Sequence, residues 1–494
     1  MLATGLSFLA VMLLCSAAHG TRPFRWMQAA LLPVLATPHA ALAIGFAFLA
    51  APSGWIARSI SPWATGWDRP PDLAIPQDPL GLSMVLALCL KEIPYLLLMT
   101  LGALDQVGAA GALRVARSLG YGPVSAWMKV VLPQVYPQIR LPVYAVLAFS
   151  LSVVDVALVL APTHPPPLSV LIVRWAADRD LALMFPAGAA ACLQGLLVAA
   201  AIGAWRLGEA AVARGARPWL VGGGRGGQGR ALAATAIGAA GALGLVSGLS
   251  VLALALWSVA AAWRFPAALP QQLTLETWSR QVHGLASPTW TTLSVGLAAT
   301  AIALALVLAC LENEQRRGLR PGRRALWLLY APLLVPQTAF LFGAQIALVR
   351  LDLDATWTAL VWAHLLFVLP YTFLSLADPW RALDPRYART AACLGASPSR
   401  VFWRVKVPML VRPILFAAAV GFAVSAGQYL PTVFAGAGRF ATLTTEAITL
   451  ASGSDRRIVG AYAFVQTALP LAAYGLAIGL PLLLSSRRRE PRRA

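Results

Sequence analysis

The sequence has few charged residues, and few of those are acidic. Charged residues make up 12% of the 494 positions, with 19 Asp and Glu against 39 Lys and Arg, whereas 59% of the chain is hydrophobic. A soluble protein has about twice that charged fraction, so this composition excludes one and predicts a chain embedded in lipid. The five cysteines have no paired spacing, and we predict neither a disulfide framework nor a metal site.

A nucleotide-binding motif is also missing. The Gly-rich run at 221–230 suggests a phosphate loop, but it lacks the Gly-Lys-Ser/Thr ending and does not join a strand to a helix. We interpret it as a flexible linker. The chain is therefore not expected to be an enzyme, to hydrolyse ATP itself or to hold a cofactor.

What the sequence does contain is a series of apolar runs of about 20 residues, the length at which a helix crosses a bilayer. Their side chains do not alternate in character, which excludes a membrane barrel. The first run could be a signal peptide, but no basic segment precedes it, so we interpret it as a membrane helix. The runs lie near residues 1–18, 27–50, 78–102, 138–160, 182–206, 232–262, 289–311, 325–349, 357–377, 411–433 and 459–484. The predicted fold class is an all-α polytopic membrane protein with about 11 transmembrane helices.

The net charge of +20 is concentrated on one side of this predicted topology. The segments assigned to the cytoplasm carry 27 Lys and Arg and seven Asp and Glu, which accounts for the whole excess. The segments assigned to the outer side carry ten charges of each sign. This is the positive-inside distribution of a membrane protein, so nucleic-acid binding is not needed to explain the charge.

One stretch of the sequence occurs twice in the chain. RVARSLGYGPVSAWMKVVLP at 114–133 aligns without gaps with RTAACLGASPSRVFWRVKVP at 389–408. The difference in numbering between the copies is constant, and we call it the repeat offset. Seven aligned pairs are identical: Arg114/Arg389, Ala116/Ala391, Leu119/Leu394, Gly120/Gly395, Pro123/Pro398, Val130/Val405 and Pro133/Pro408. Each copy predicts a helix ended by a glycine at positive φ, then a second short helix opened by an N-cap and a proline.

This pattern resembles the cytoplasmic EAA loop of ABC importer permeases, which reads Glu-Ala-Ala, three residues, Gly, nine residues, Ile-x-Leu-Pro. In both copies nine residues separate the glycine from the Val-x-x-Pro ending. Arg114 and Arg389 stand where the family has Glu, which removes the acidic group of the family pattern. The resemblance implies that the loops bind an ATPase. The residues it assigns to ATPase coupling are Arg114, Ala116, Leu119, Gly120, Pro133, Arg389, Ala391, Leu394, Gly395 and Pro408.

The two copies belong to a longer duplication. Pro94-Tyr95 corresponds to Pro370-Tyr371, and residues 1–206 map onto 289–484, five helices against five. We predict a first permease domain at 1–206, a Gly/Arg-rich cytoplasmic linker at 207–231, a second permease domain at 232–484 and a basic cytoplasmic tail at 485–494. The helix at 232–262 has no partner in the first half, so the first half is expected to lack one N-terminal helix.

Nearly the whole chain resembles fused permeases of type I ABC importers, among them the Ynj-type, thiamine and ferric-iron permeases, most clearly over residues 428–457. The resemblance implies an inner-membrane, multi-pass permease that moves a small solute delivered by a periplasmic binding protein. It implies a cytoplasmic ABC ATPase, in two copies, that binds the ATP. The sequence leaves the solute open. The alternatives are a secondary transporter of two fused halves, which would need no ATPase, and a scaffold without transport.

Ionisable and polar residues inside the predicted spans are candidates for a translocation path, because such residues are costly in the bilayer and tend to face a bundle interior. They are Lys91, Glu92 and Asp155 in the first half and Gln428 and Tyr429 in the second. The alternative for Lys91 and Glu92 is a mutual structural pair or a link to another helix. The segment 436–455, predicted on the outer side, is either a seat for the binding protein or a cap over the bundle.

Overall fold

A computed structural model describes residues 1–227, 229–319 and 322–486; the last eight residues of the predicted tail lie outside this range. The regular secondary structure of the described residues is helical apart from a two-stranded antiparallel ribbon of β1 (Ala260–Ala262) and β2 (Gln272–Leu273). The helices are α1 Leu2–Ala18, α2 Arg22–Ala36, α3 His39–Ala50, α4 Trp55–Ile60, α5 Leu82–Gln106, α6 Ala109–Ser118, α7 Pro123–Ala126, α8 Leu132–Ser152, α9 Asp155–Leu160, α10 Leu168–Ala176, α11 Met184–Gly215, α12 Arg217–Val221, α13 Arg230–Val259, α14 Glu276–Arg317, α15 Arg323–Leu334, α16 Gln337–Arg350, α17 Trp357–Arg381, α18 Pro385–Cys393, α19 Pro398–Val401, α20 Val407–Met409, α21 Val411–Ala426, α22 Leu430–Gly436, α23 Leu443–Ala451 and α24 Arg456–Ser486.

The duplication is present in the backbone. α5 and α17 have the same length, and their first residues are separated by the repeat offset; the same is true of α10 and α23. A π-helical turn in the first repeat, Trp127–Val131, has its counterpart at Phe402–Lys406, again at that offset. The repeat that the sequence indicates in the loops therefore extends over most of each half.

Four predicted spans are interrupted instead of continuous. α15 and α16 are bent by 100° at a short break before Pro336. α2 ends before Pro38, two residues separate α8 from α9, and three residues separate α21 from α22. Just before the predicted span 411–433, the helical segments Pro398–Met409 and Val411–Ala426 are also bent, by 76°. Proline removes a backbone donor and clashes with the preceding turn, which explains the breaks at 38 and 336.

The predicted count of 11 transmembrane helices is not confirmed. Within the described ranges, seven helices are long and apolar enough to cross a membrane, or nine if each of the two bent pairs is one crossing. α1 is apolar but, at 17 residues, shorter than these. The difference from 11 arises because a hydropathy run does not show whether its backbone is bent.

Contacts divide the chain into two compact units. Of the described residues, those within 1–35, 42–274 and 333–342 form unit 1, and those within 36–41, 275–332 and 343–486 form unit 2. The core of unit 1 is built mainly from α1, α5 and α8, whose buried side chains form one large apolar cluster. The core of unit 2 is built from α14, α17, α21 and α24. The domain boundaries at 206 and 232 refer to the duplication in the sequence and remain a prediction.

Candidate functional site

The first loop (residues 114–133) and the second loop (residues 389–408) share one turn geometry. Gly120 has φ +84° and Gly395 has φ +80°, as their sequence context predicts. The amide of Tyr121 donates to the carbonyl of Ala116 at 3.1 Å, and the amide of Ala396 donates to that of Ala391 at 3.0 Å. Together with the bonds from the glycine amides, these form a Schellman motif in each loop.

The second short helix of each loop begins in the same way. Gly122 and Ser397 are the N-cap residues, both with φ −63° and ψ 156°, and a proline follows each. The Ser397 hydroxyl accepts from the amide of Arg400, a bond that Gly122 cannot supply. Pro133 and Pro408 follow the π-helical turn of their loop, at the second residue of α8 and α20.

The predicted coupling residues differ in exposure. Arg114, Arg389, Pro133 and Pro408 are exposed, and Leu394 has 82% of its surface exposed against 59% for Leu119. Ala116 is buried and Ala391 is half-buried. Neither Arg114 nor Arg389 forms an ion pair with any residue in the described ranges. Arg114 and Leu119 are therefore available at the surface of unit 1, and Arg389 and Leu394 at the surface of unit 2. The alanines support the turn.

The first loop is covered by part of the linker, which we call the glycine segment (residues 222–227). Nζ of Lys129 donates to the carbonyls of Gly222 at 2.7 Å and Gly224 at 3.0 Å, and lies 4.8 Å from the ring centre of Trp219. The amide of Gly122 donates to the carbonyl of Arg225 at 2.9 Å. The glycine segment is thus bound to the first loop, which the interpretation as a flexible linker does not anticipate.

The second loop is held by the helix α14 and not by the linker. Nζ of Lys406 lies 2.6 Å from Oε2 of Glu312 and donates to Oε1 of Gln315 at 2.8 Å, with both charged side chains buried. Arg316 bonds Glu312 and also donates to the carbonyl of Pro398 at 3.2 Å. Sequence reasoning missed these residues, although Glu312 and Arg316 form an acid–base pair four residues apart at the end of an apolar run.

Inside unit 1, Lys91 and Glu92 do not pair with each other but bind different helices. Nζ of Lys91 donates to the carbonyls of Val34 at 3.1 Å and Leu35 at 2.9 Å, in the last turn of α2. In a continuous helix the Val34 carbonyl would accept a hydrogen bond from the amide of residue 38. That residue is Pro38, which has no amide hydrogen. Lys91 therefore stabilises the end of α2. This contact is a link to another helix, which was one of the alternatives considered for Lys91 from the sequence.

Glu92 lies in a buried polar cluster with α1 and α8. The Ser7 hydroxyl donates to Oε2 of Glu92 at 3.1 Å, Ser150 donates to Oε1, and Thr4 lies 3.2 Å from Ser150. All four residues are buried or half-buried. The carboxyl group is satisfied by hydroxyl donors, and its role in a translocation path stays a prediction.

In unit 2 the serine that corresponds to Ser150 binds a histidine. Ser425 is related to Ser150 by the repeat offset, and its hydroxyl is 2.8 Å from Nδ1 of buried His364; Nε2 of His364 is 3.0 Å from the Thr432 hydroxyl. Both ring nitrogens of His364 thus lie within hydrogen-bond distance of a hydroxyl group. Sequence reasoning missed Ser150 and Ser425, although their identity at equivalent positions of the two repeats was a signal.

The remaining path candidates lie where spans are interrupted. Asp155 is buried at the start of α9, and Gln428 and Tyr429 occupy the equivalent break between α21 and α22. Nε2 of Gln428 donates to the carbonyl of His364 at 3.3 Å, while its buried Oε1 has no partner within the part of the chain that the structure describes. Asp155 belongs to unit 1 and the other two belong to unit 2.

The segment 436–455 contains α23, which is capped by Thr442 through a reciprocal bond with Thr445. Thr444, on this helix, donates to the carbonyl of Ala426 at 2.6 Å and is buried. Beyond α23, the hydrogen bond from Arg457 holds the pKa of Asp455 below its usual value. The helix is therefore packed on the bundle of unit 2, and the surface function of this segment stays a prediction.

These features define a class of protein: a helical membrane permease made from a duplicated unit, with one glycine-bent loop in each repeat. No protein-family model matches the chain. It is 34% identical over 464 residues to the inner membrane ABC transporter permease protein YnjC of Escherichia coli (strain K12), covering 92% of this chain and 81% of that protein. It is also 31% identical over 156 residues to the molybdenum transport system permease protein ModB of Mycobacterium tuberculosis, covering 29% of this chain and 57% of ModB.

The extent of the match to YnjC shows the family. The chain belongs to the inner-membrane ABC transporter permeases and is a multi-pass protein of that membrane. The resemblance first seen in two short loops is confirmed over most of the sequence.

Proposed function

We propose that this chain is the membrane subunit of a binding-protein-dependent ABC importer. It would move a small solute delivered by a periplasmic binding protein, and two copies of a separate ATPase would bind the ATP. The chain itself would hold no cofactor. Each ATPase copy would bind one of the two loops, through Arg114, Leu119 and Gly120 in the first and Arg389, Leu394 and Gly395 in the second.

The observation that carries this proposal is the matched geometry of the loops. The Schellman bonds, the cap angles and the π-helical turn all recur at the repeat offset. Internal repeats are common in secondary transporters as well, so repetition alone does not favour an importer. What favours the importer is that both loops have the bend and the glycine-to-proline spacing of the EAA pattern. A two-copy partner needs such a pair of surfaces, because each copy presents the same binding face.

A loop transmits a rigid-body movement only if its two short helices keep their relative angle, and the glycine sets that angle. Gly395→Val tests this cleanly, since a Cβ at Gly395 would meet nothing within 4 Å and only the positive φ opposes the substitution. Valine at this φ costs on the order of 1–3 kcal/mol. We expect the variant to insert into the membrane but to retain less of a co-expressed ABC ATPase. Substrate should then stimulate little ATP hydrolysis by that ATPase.

The matched control is Gly395→Asn, because asparagine tolerates the left-handed region far better than valine. It should retain the ATPase and most of the stimulation. Full retention of the ATPase by both Gly395→Val and Gly120→Val would show that these loops do not couple the chain to an ATPase. Uptake that stops when the membrane potential is collapsed while ATP is kept would instead support a secondary transporter.

A further inference from the structure

The glycine segment fits the first loop closely, backbone against backbone. A Cβ added to Gly122 would lie 2.1 Å from the carbonyl oxygen of Gly227, and one added to Gly226 would lie 2.0 Å from Oγ of Ser125. Gly226 also has φ +68°, a conformation that other residues rarely adopt. Glycine is therefore required on both sides of this contact.

The covered face of the first loop corresponds to an open face of the second. Ser125 and Lys129 are half-buried, whereas Arg400 and Arg404, their equivalents in the second loop, are exposed. The second loop thus presents two guanidinium groups where the first has a neutral hydroxyl and an ammonium group that binds two linker carbonyls. Without the linker, the two loops would offer a partner different groups at these two positions, while Arg114 and Arg117 in the first loop and Arg389 in the second are exposed elsewhere.

Arg225 of the glycine segment changes that comparison. Its side chain is exposed and passes beside the bend, with Cδ and Nη1 each 3.4 Å from the position a Cβ of Gly120 would take. Its carbonyl is held by the amide of Gly122, which fixes the residue on the loop. The linker thereby places a guanidinium group on the surface of the first loop.

We propose that the glycine segment is part of the docking surface of the first loop, and that Arg225 binds an acidic side chain of the ATPase there. In the second loop the exposed guanidinium group of Arg404, which belongs to the loop itself, would contact the partner. Two identical ATPase copies would then each meet a guanidinium group, one from the loop and one from the linker. This inference rests on the proposed function and adds the linker to the surface that the partner binds.

The test measures binding of the purified chain, in a lipid nanodisc, to the ABC ATPase that wild-type chain retains. Arg225→Gln and Arg404→Gln should each weaken binding about two- to fivefold, the range expected for an exposed ion pair. Both effects should shrink as the salt concentration rises to about 1 M, where charges are screened within about 3 Å. Arg214→Gln, the same charge change at an exposed residue in the last turn of α11, ahead of the glycine segment, should leave binding unchanged.

A second variant separates this proposal from a linker that merely masks the first loop. Gly226→Val should displace the glycine segment and weaken binding at least as much as Arg225→Gln, whereas displacement of a mask would strengthen it. Stronger binding by Gly226→Val would overturn this inference but not the proposed function. Unchanged binding by Arg225→Gln would do the same, provided that Arg404→Gln and Gly395→Val both bind less well. Unchanged binding by all four variants overturns the proposed function as well.

Discussion

The two repeats have the same backbone but hold their equivalent positions with different partners. Ser150 binds a carboxyl group and Ser425 binds an imidazole, although the two serines occupy the same position in equivalent helices. The first loop is bound by the linker, and the second is bound to α14 through a buried ion pair. Bends set by glycine and proline recur in both repeats because they depend on the local backbone. The side-chain contacts differ because equivalent helices carry different residues at the facing positions, as with Glu92 on α5 and His364 on α17.

The largest expected effect is at the buried pair of the second loop. Lys406→Met leaves the Glu312 carboxylate buried with Arg316 as its remaining cation, and we expect a loss of about 3 kcal/mol in stability. The midpoint of thermal unfolding in detergent should fall accordingly. The control is Arg404→Met, which removes an exposed charge from the same loop and should change the midpoint little. A Lys406→Met variant as stable as wild type would mean that the ion pair does not hold this loop.

A second comparison concerns the polar groups inside each repeat. If Lys91 and Glu92 line a path, replacing both with Leu should preserve insertion but lower uptake by about tenfold or more, which corresponds to about 1.4 kcal/mol. His364→Leu, in the other repeat, should lower uptake less, because the predicted path includes Lys91 and Glu92 but not His364. Membrane-embedded protein and initial uptake rates should be measured for both. Normal uptake by the double variant would limit Lys91 and Glu92 to their structural contacts.

The smallest expected difference is between the two equivalent serines. Ser150→Ala removes a hydrogen bond to a carboxylate, for which we expect a loss of about 1.5–3 kcal/mol, whereas Ser425→Ala removes a bond to an imidazole, for which we expect about 0.5–1.5 kcal/mol. Unfolding midpoints of the two variants under one set of conditions check the order. Equal losses, or a larger loss for Ser425→Ala, would contradict the expectation that the bond to Glu92 is the stronger of the two.

The chain sequence was sufficient for those features that depend on composition and local backbone chemistry. Apolar runs predicted a helical membrane protein, and the spacing of Gly120 and Gly395 to the following prolines predicted both bends, including their positive φ. Each of these features is encoded in a short, continuous stretch of the chain. The resemblance to ABC permeases rested on the same local pattern and was confirmed over most of the chain.

Only the tertiary structure decided which distant groups meet. Lys91 and Glu92 are adjacent in sequence, yet successive positions of a helix face different directions, so one binds α2 and the other binds α1 and α8. Apart from Arg225, the glycine segment has no side chains, and it has no periodicity from which a binding partner could be inferred. Its contact with Lys129 joins parts of the chain that are far apart in sequence. Local chemistry determined the bends and the spans, whereas the packing of helices determined how each buried charge is satisfied.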